Sequence, residues 1–129
     1  MTKRILVIDD EDGLREVIQY CLEAVANWQV LTAVSGYAGL SIAELEQPDA
    51  ILLDVVMPEM DGTEMAQRLH SNPATQTIPI ILLTAKVKLK DQETLRSVGV
   101  MGMIVKPFKP LELINQIREI LGWSNEMNA

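Results

Sequence analysis

The chain has 129 residues, 48% of them hydrophobic and 22% charged, a balance that makes one globular domain with a full core and excludes a disordered chain. The formal net charge of −7 argues against a direct nucleic-acid binder, which carries a basic footprint, and the single cysteine, Cys21, excludes an internal disulfide. No apolar run approaches the roughly 20 residues that span a bilayer, and Met1-Thr2-Lys3-Arg4 leads straight into a short β-type run, so a cytoplasmic protein without a membrane segment is expected.

Along the chain, β and α patterns alternate five times. Ile5-Leu6-Val7-Ile8 is the first strand and ends in Asp9-Asp10. Leu14, Val17, Ile18, Cys21, Leu22 and Val25 then recur at helical spacing as one inward face, with Asp10 or Asp12 placed to cap. Trp28 lies in the following loop as a partial packing contact. Val30-Leu31-Thr32-Ala33 is a weaker second strand. Ser35-Gly36 leads into a helix to about Glu46 that turns Gly39, Leu40 and Ala43 inward. Pro48-Asp49 marks a turn before the third strand, Ala50 to Leu53, which ends in Asp54. Asp61 caps a third helix carrying Met65, Ala66 and Leu69, and His70 closes it as a solvent-facing residue.

Pro79 opens the fourth strand, Ile80-Ile81-Leu82-Leu83, which delivers Thr84. A weakly patterned fourth helix runs from about Asp91 to Val98 and stops at Gly99. Met103-Ile104-Val105 forms the fifth strand and delivers Lys106. Pro110 sits near the start of the last helix, with Leu113, Ile114, Ile117, Ile120 and Leu121 inward and Gly122 at its end. This gives one domain over residues 1–122 and a short, frayed tail over 123–129. Cys21 and most of the methionines read as core.

Strands one, three and four are apolar throughout, the pattern of strands covered on both faces in a parallel sheet. Right-handed crossovers then make a doubly wound α/β fold of five strands and five helices. In such a sheet Asp9, Asp10, Asp54, Thr84 and Lys106 meet at the carboxyl edge, where ligands of open α/β sheets bind. Asp9-Asp10 alone reads equally well as a helix cap, but Asp54 on a neighbouring strand makes it half of a site. Three carboxylates without Cys or His select Mg²⁺, with Mn²⁺ as a substitute. Lys106, held before Pro107, and Thr84, with the backbone N–H of Ala85, supply the donors for a phosphate.

These residues resemble the receiver domain of two-component response regulators. The resemblance runs from Lys3 to about Gly122. It rests on Ile8-Asp9-Asp10-Glu11, on Leu53-Asp54-Val55-Val56-Met57-Pro58-Glu59-Met60-Asp61-Gly62, on Leu83-Thr84-Ala85 and on Val105-Lys106-Pro107-Phe108. It implies a flavodoxin-like receiver fold of strand order 2-1-3-4-5 in a stand-alone, chemotaxis-regulator-like protein. Asp54 would be the phosphoacceptor. Asp10 would be a direct metal ligand, with Asp9 close by, partly through water, and the Val56 carbonyl as the remaining protein ligand. Thr84 and Lys106 would contact the phosphoryl group, with Lys106-Pro107 a cis peptide.

The implied partners are a sensor histidine kinase or phosphotransfer domain upstream and a protein downstream, met through the fourth helix, fifth strand and last helix. Ala85, Lys86, Met103 and Pro107 would form the switch and output group. Lys86, Lys88, Lys90 and Arg96 add a basic stretch there for an acidic partner segment. Met103 stands where many members carry an aromatic residue, and apolar Val56 offers an attacking water no hydrogen bond, which suggests slow self-hydrolysis. The expected output is a conformation, and the chain would catalyse its own phosphotransfer and dephosphorylation alone. An intermediate shuttle in a phosphorelay, or the receiver portion of a longer regulator, is the alternative role.

Two other classes fit less well. Haloacid-dehalogenase-type hydrolases resemble an Asp-x-Asp pattern, whereas Val56 occupies the second position here. Flavodoxins resemble a hydroxyl- and Gly-rich phosphate loop after the first strand, where Asp9-Asp10-Glu11-Asp12 would repel a phosphate.

Overall fold

Residues of opposite parity along each apolar run must leave the sheet on opposite sides, and that rule divides this molecule into two cores. The computed structural model describes residues 2–57, 59–85 and 96–123. Its strands are β1 (Arg4–Ile8), β2 (Gln29–Ala33), β3 (Ala50–Asp54), β4 (Ile80–Thr84) and β5 (Val100–Val105). Its helices are α1 (Asp12–Ala24), α2 (Gly36–Glu46), α3 (Gly62–Ser71) and α4 (Pro110–Leu121). All strand pairings are parallel, in the order β2-β1-β3-β4-β5. On one face Ile5, Val7, Leu52, Ile81, Leu83 and Ile104 pack with Ile18 and Leu22 of α1 and Leu113, Ile114 and Ile117 of α4. On the other, Leu6, Ile8, Ile51, Leu53, Ile80 and Leu82 pack with Ala43 of α2 and Met65, Ala66 and Leu69 of α3.

The register sets the strand ends level. Ile8 pairs with Leu53, Asp54 with Leu83, and Thr84 with Val105. Whatever follows each strand therefore emerges along one edge.

Three helix ends follow the expected chemistry. Ser35 Oγ accepts from the Ala38 N–H at 3.2 Å and Asp61 Oδ1 from the Glu64 N–H at 2.8 Å, each satisfying an amide that the helix leaves unpaired. Gly122 ends α4 in the left-handed region at φ 71°. The start of α1 differs from expectation. Its cap position is Glu11, with no side-chain cap bond, so neither Asp10 nor Asp12 caps it. Asp12 lies inside the first turn, where its charge favours the helix dipole.

Other expectations on packing also shift. Val17 and Val25 are 51% and 47% exposed, because α1 meets the sheet through Ile18, Cys21 and Leu22 and leaves its flank toward α4 open. Trp28 is fully packed at 3% exposure. Trp123, assigned to the frayed tail, stacks edge-on against Trp28 at 5.3 Å, with Arg118 over the Trp28 ring and Lys3 over its own. Four helices are described where five are expected. The helix expected from Asp91 to Val98 lies largely outside the described residues, and Arg96 to Gly99 turn into β5 with Gly99 at φ 88°. Among the described residues no helix is long and apolar enough to cross a membrane.

Two glycines separate a backbone constraint from a replaceable position. A methyl on Gly62 would meet the Asp54 carbonyl oxygen and the Val55 Cα at 2.9 Å, both backbone atoms that cannot swing aside. Nothing lies within 4 Å of one on Gly13, in the first turn of α1. Gly62→Ala should destabilise folding by about 1–3 kcal/mol, whereas Gly13→Ala should stabilise it by up to about 1 kcal/mol. Urea unfolding of the two variants checks the opposite signs.

Candidate functional site

Asp9 follows β1 and is held at three points. Its N–H donates to the Ala33 carbonyl at 3.2 Å, its carbonyl accepts from Arg15 Nη1 at 2.8 Å, and its Oδ1 accepts from the Glu11 N–H at 2.9 Å. The last bond is an Asx turn, which bends the chain from strand to helix. Asp54 closes β3 in the middle of the sheet, and the Val55 N–H continues the ladder to the Leu83 carbonyl at 3.0 Å. One carboxylate oxygen from each of Asp9, Asp10 and Asp54 lies within 4.8 Å of the others. Asp9 is fully buried, Asp54 is 6% exposed and Asp10 faces solvent.

Lys106 reaches this cluster from the end of β5. Its Nζ lies 3.0 Å from Asp54 Oδ1 and 3.9 Å from Asp9 Oδ2, while its N–H donates to the Thr84 carbonyl at 2.8 Å. The Lys106-Pro107 peptide is cis. Thr84 is half-buried at the end of β4, and Ala85 beyond it is exposed. Met103 is half-buried and packs on the α2–α3 side of the sheet. Val56, two residues after Asp54, is 76% exposed at the rim. Lys86, Lys88 and Lys90 lie outside the described residues. His70 is exposed and Cys21 is buried, with burial pushing the thiol up.

The edge thus gathers Asp9, Asp10, Asp54, Thr84 and Lys106. Sequence reasoning missed Arg15, whose guanidinium joins the Asp9 carbonyl to the Asp12 carboxylate. The i, i+3 spacing of Asp12 and Arg15 on a helix was the available sign. It missed too that the flank beside Lys106 is an apolar groove of about 380 Å³ lined by Leu14, Val17, Phe108 and Pro110. A second groove of about 460 Å³ continues it along Val17, Tyr20, Val25 and Leu111.

Among the described residues the cluster is short of positive charge. Burial pushes the Asp9 carboxyl up from its ordinary value; the Glu11 N–H opposes this, the Asp54 charge adds to it, and Lys106 opposes it. Asp9 Oδ2 is buried with no hydrogen-bond partner among the described residues. A buried, charged oxygen without a donor is costly, and a cation beside it removes that cost. Three hard oxygen ligands fit a divalent ion of the Mg²⁺ type. Asp9→Asn keeps an Oδ1 acceptor for Glu11 and removes the charge. It should therefore raise the thermal midpoint in EDTA by a few degrees, measured by circular dichroism; a fall would mean that the charge stabilises the metal-free fold.

The model of the response regulator receiver domain matches residues 5–118. Among curated proteins, the chain is 38% identical over 121 residues to the alkaline phosphatase synthesis transcriptional regulatory protein PhoP of Bacillus subtilis, covering 94% of this chain and 49% of that protein. The chain spans about half the length of the curated relatives it matches. Among solved structures, the chemotaxis protein CheY4 of Vibrio cholerae superposes with a TM-score of 0.86 at 28% identity, over 93% of this chain and 99% of that one. The receiver domain of the sensor histidine kinase PA1611 of Pseudomonas aeruginosa, which holds a magnesium ion in its active site cleft, gives a TM-score of 0.81 at 28% identity over 95% and 99%. With its fold, its edge cluster and nearly its full length accounted for in this way, the chain belongs to the response regulator receiver domain family.

Proposed function

We propose that this chain is a switch operated by phosphorylation of Asp54. The observation that carries the reading is the ammonium of Lys106 at 3.0 Å from Asp54 Oδ1, beside three carboxylates whose oxygens lie within 4.8 Å of one another. An Asp54 oxygen attacks phosphorus in line, the P–N bond to a donor histidine breaks, and that electron pair stays on the imidazole. Mg²⁺, or Mn²⁺ in its place, held by Asp9, Asp10, Asp54 and the Val56 carbonyl, would neutralise charge on the transferring group. Lys106 exchanges its bond to Asp54 for one to a phosphoryl oxygen. The Thr84 hydroxyl and the Ala85 N–H take the remaining oxygens.

The product is an acyl phosphate bearing roughly −2 charge where a single carboxylate stood. Thr84 moves toward it, Met103 on the adjacent strand repacks, and the surface around β5 and α4 changes for a downstream partner. The donor is a sensor histidine kinase or phosphotransfer domain in the cytoplasm. Its helix would find in the apolar groove beside Lys106 a landing place next to Asp54. The chain acts through this conformation and not by turnover of foreign phosphate esters. Since the relatives are about twice as long, the same switch would serve equally within a longer regulator, or as an intermediate carrier in a phosphorelay.

Asp54 should be labelled by a phospho-histidine kinase domain in the presence of Mg²⁺ or Mn²⁺ and not in EDTA, with the label lost in hydroxylamine. Asp54→Asn should abolish the label; full labelling of that variant removes the assignment. Millimolar Mg²⁺ should raise the melting temperature by mass action, and Asp10→Asn should remove the rise. An equal rise in that variant would put the ion elsewhere.

A further inference from the structure

Of the three bonds that hold Asp9, the one from Arg15 comes from a side chain that the cation reading above does not use. We infer that Arg15 is the positioning residue of the cation site, tying the second turn of α1 to the end of β1 so that Asp10 presents its oxygen beside Asp9 and Asp54. Four observations lead there. The helix start has no side-chain cap, so beyond the Asx bond of Asp9 to the Glu11 N–H nothing at the cap position itself ties the first turn of α1 to the end of β1. Asp10 makes no side-chain hydrogen bond among the described residues and is exposed, so its oxygen lies where its backbone puts it. The Asp9 carbonyl belongs to a fully buried residue beyond the last paired position of β1, and Arg15 Nη1 meets it at 2.8 Å. The Arg15 side chain is 12% exposed, and its Nη2 ion-pairs with Asp12 in the first turn of the same helix.

A guanidinium is a rigid planar fork, so these two bonds fix an angle as well as a distance. They close a small ring from Asp9 through Asp12 with Asp10 inside it. Among the described residues Asp10 makes no hydrogen bond or ion pair of its own that could set its direction. Arg15 reaches no reacting atom itself and acts through the backbone of Asp9.

Charge and positioning predict opposite signs, which makes the assignment testable. If Arg15 mattered as a nearby positive charge, removing it would tighten cation binding. If it positions, removing it loosens binding even though a repelling charge has gone. Its charge is already matched by Asp12, so positioning should win.

The experiment is a calorimetric Mg²⁺ titration of the full chain, paired with melting curves in EDTA. Arg15→Met should raise the Mg²⁺ dissociation constant about tenfold, the scale expected for a residue that orients a metal ligand. The double variant Asp12→Asn with Arg15→Met, in which the net charge is restored, should show the same loss. Arg15→Lys, which keeps the charge and one donor but not the fork, should fall between wild type and Arg15→Met. A merely structural Arg15 would lower the melting temperature in EDTA and leave the dissociation constant unmoved; that result, or tighter binding, overturns the inference. If Arg15→Met does not fold, Arg15→Lys is judged by the same criterion, with an unchanged constant counting against. Absence of Mg²⁺ binding in the wild type would sink the cation reading itself, and this inference with it.

Discussion

A buried carboxylate without a counter-charge is among the most costly features a fold can carry, and Asp54 sits at the centre of the sheet with the cation that meets it carried two strands away. Lys106 crosses that gap, spanning β4 to place its ammonium 3.0 Å from Asp54 Oδ1. The contact requires β3, β4 and β5 to end level, which the pairing of Asp54 with Leu83 and Thr84 with Val105 supplies. Level ends in turn require parallel strands, and parallel strands require helices on both faces. The two apolar cores are thus the support for one ion pair, and a slip of either strand would separate the charges. Among the described residues the pair leaves the cluster incompletely neutralised, with one ammonium facing three carboxylates. That residual demand for positive charge is the physical basis of the site.

What sequence could show was decided by whether a residue's environment is set locally. Ile5 to Ile8, Ala50 to Leu53 and Ile80 to Leu83 announce themselves because an unbroken apolar run has few other uses, and Asp54, Thr84 and Lys106 follow by position. Asp61 was legible because a cap bond is made within three residues, here to Glu64 at 2.8 Å. Asp10 and Asp12 were equally plausible caps by the same rule. Neither caps, because the helix starts at Asp12 with Glu11 at the cap position, one residue away from each. The strand order came from the family resemblance, since no local pattern encodes which strands are neighbours.

Helical spacing proved a weaker guide to burial than to helicity. Val17 and Val25 share the periodicity of Ile18 and Leu22, yet the stripe is wider than the strip of sheet available to it. Which part becomes an open groove depends on where α4 lies, and that is tertiary information. Arg15 was hidden for a related reason. Its partner Asp12 is visible in a helical pattern, but the Asp9 carbonyl is a backbone atom whose lack of a ladder partner emerges from the sheet. The pairing of Trp28 with Trp123 joins residues 95 positions apart at the end opposite the site, and a terminal segment gives no sign of such a contact.

That tryptophan pair has an optical consequence. The chain has two tryptophans, both at the amino-terminal edge of a sheet whose five-residue strands put the carboxyl edge about 16 Å away. Indole emission therefore comes from one location, where two rings meet edge to face under two cations. It reports whether the end of α4 is seated against the loop after α1, and is nearly blind to events around Asp54. A chemical step at the site that left this emission untouched would have been confined to the carboxyl edge, while one that altered it would have travelled the length of the sheet.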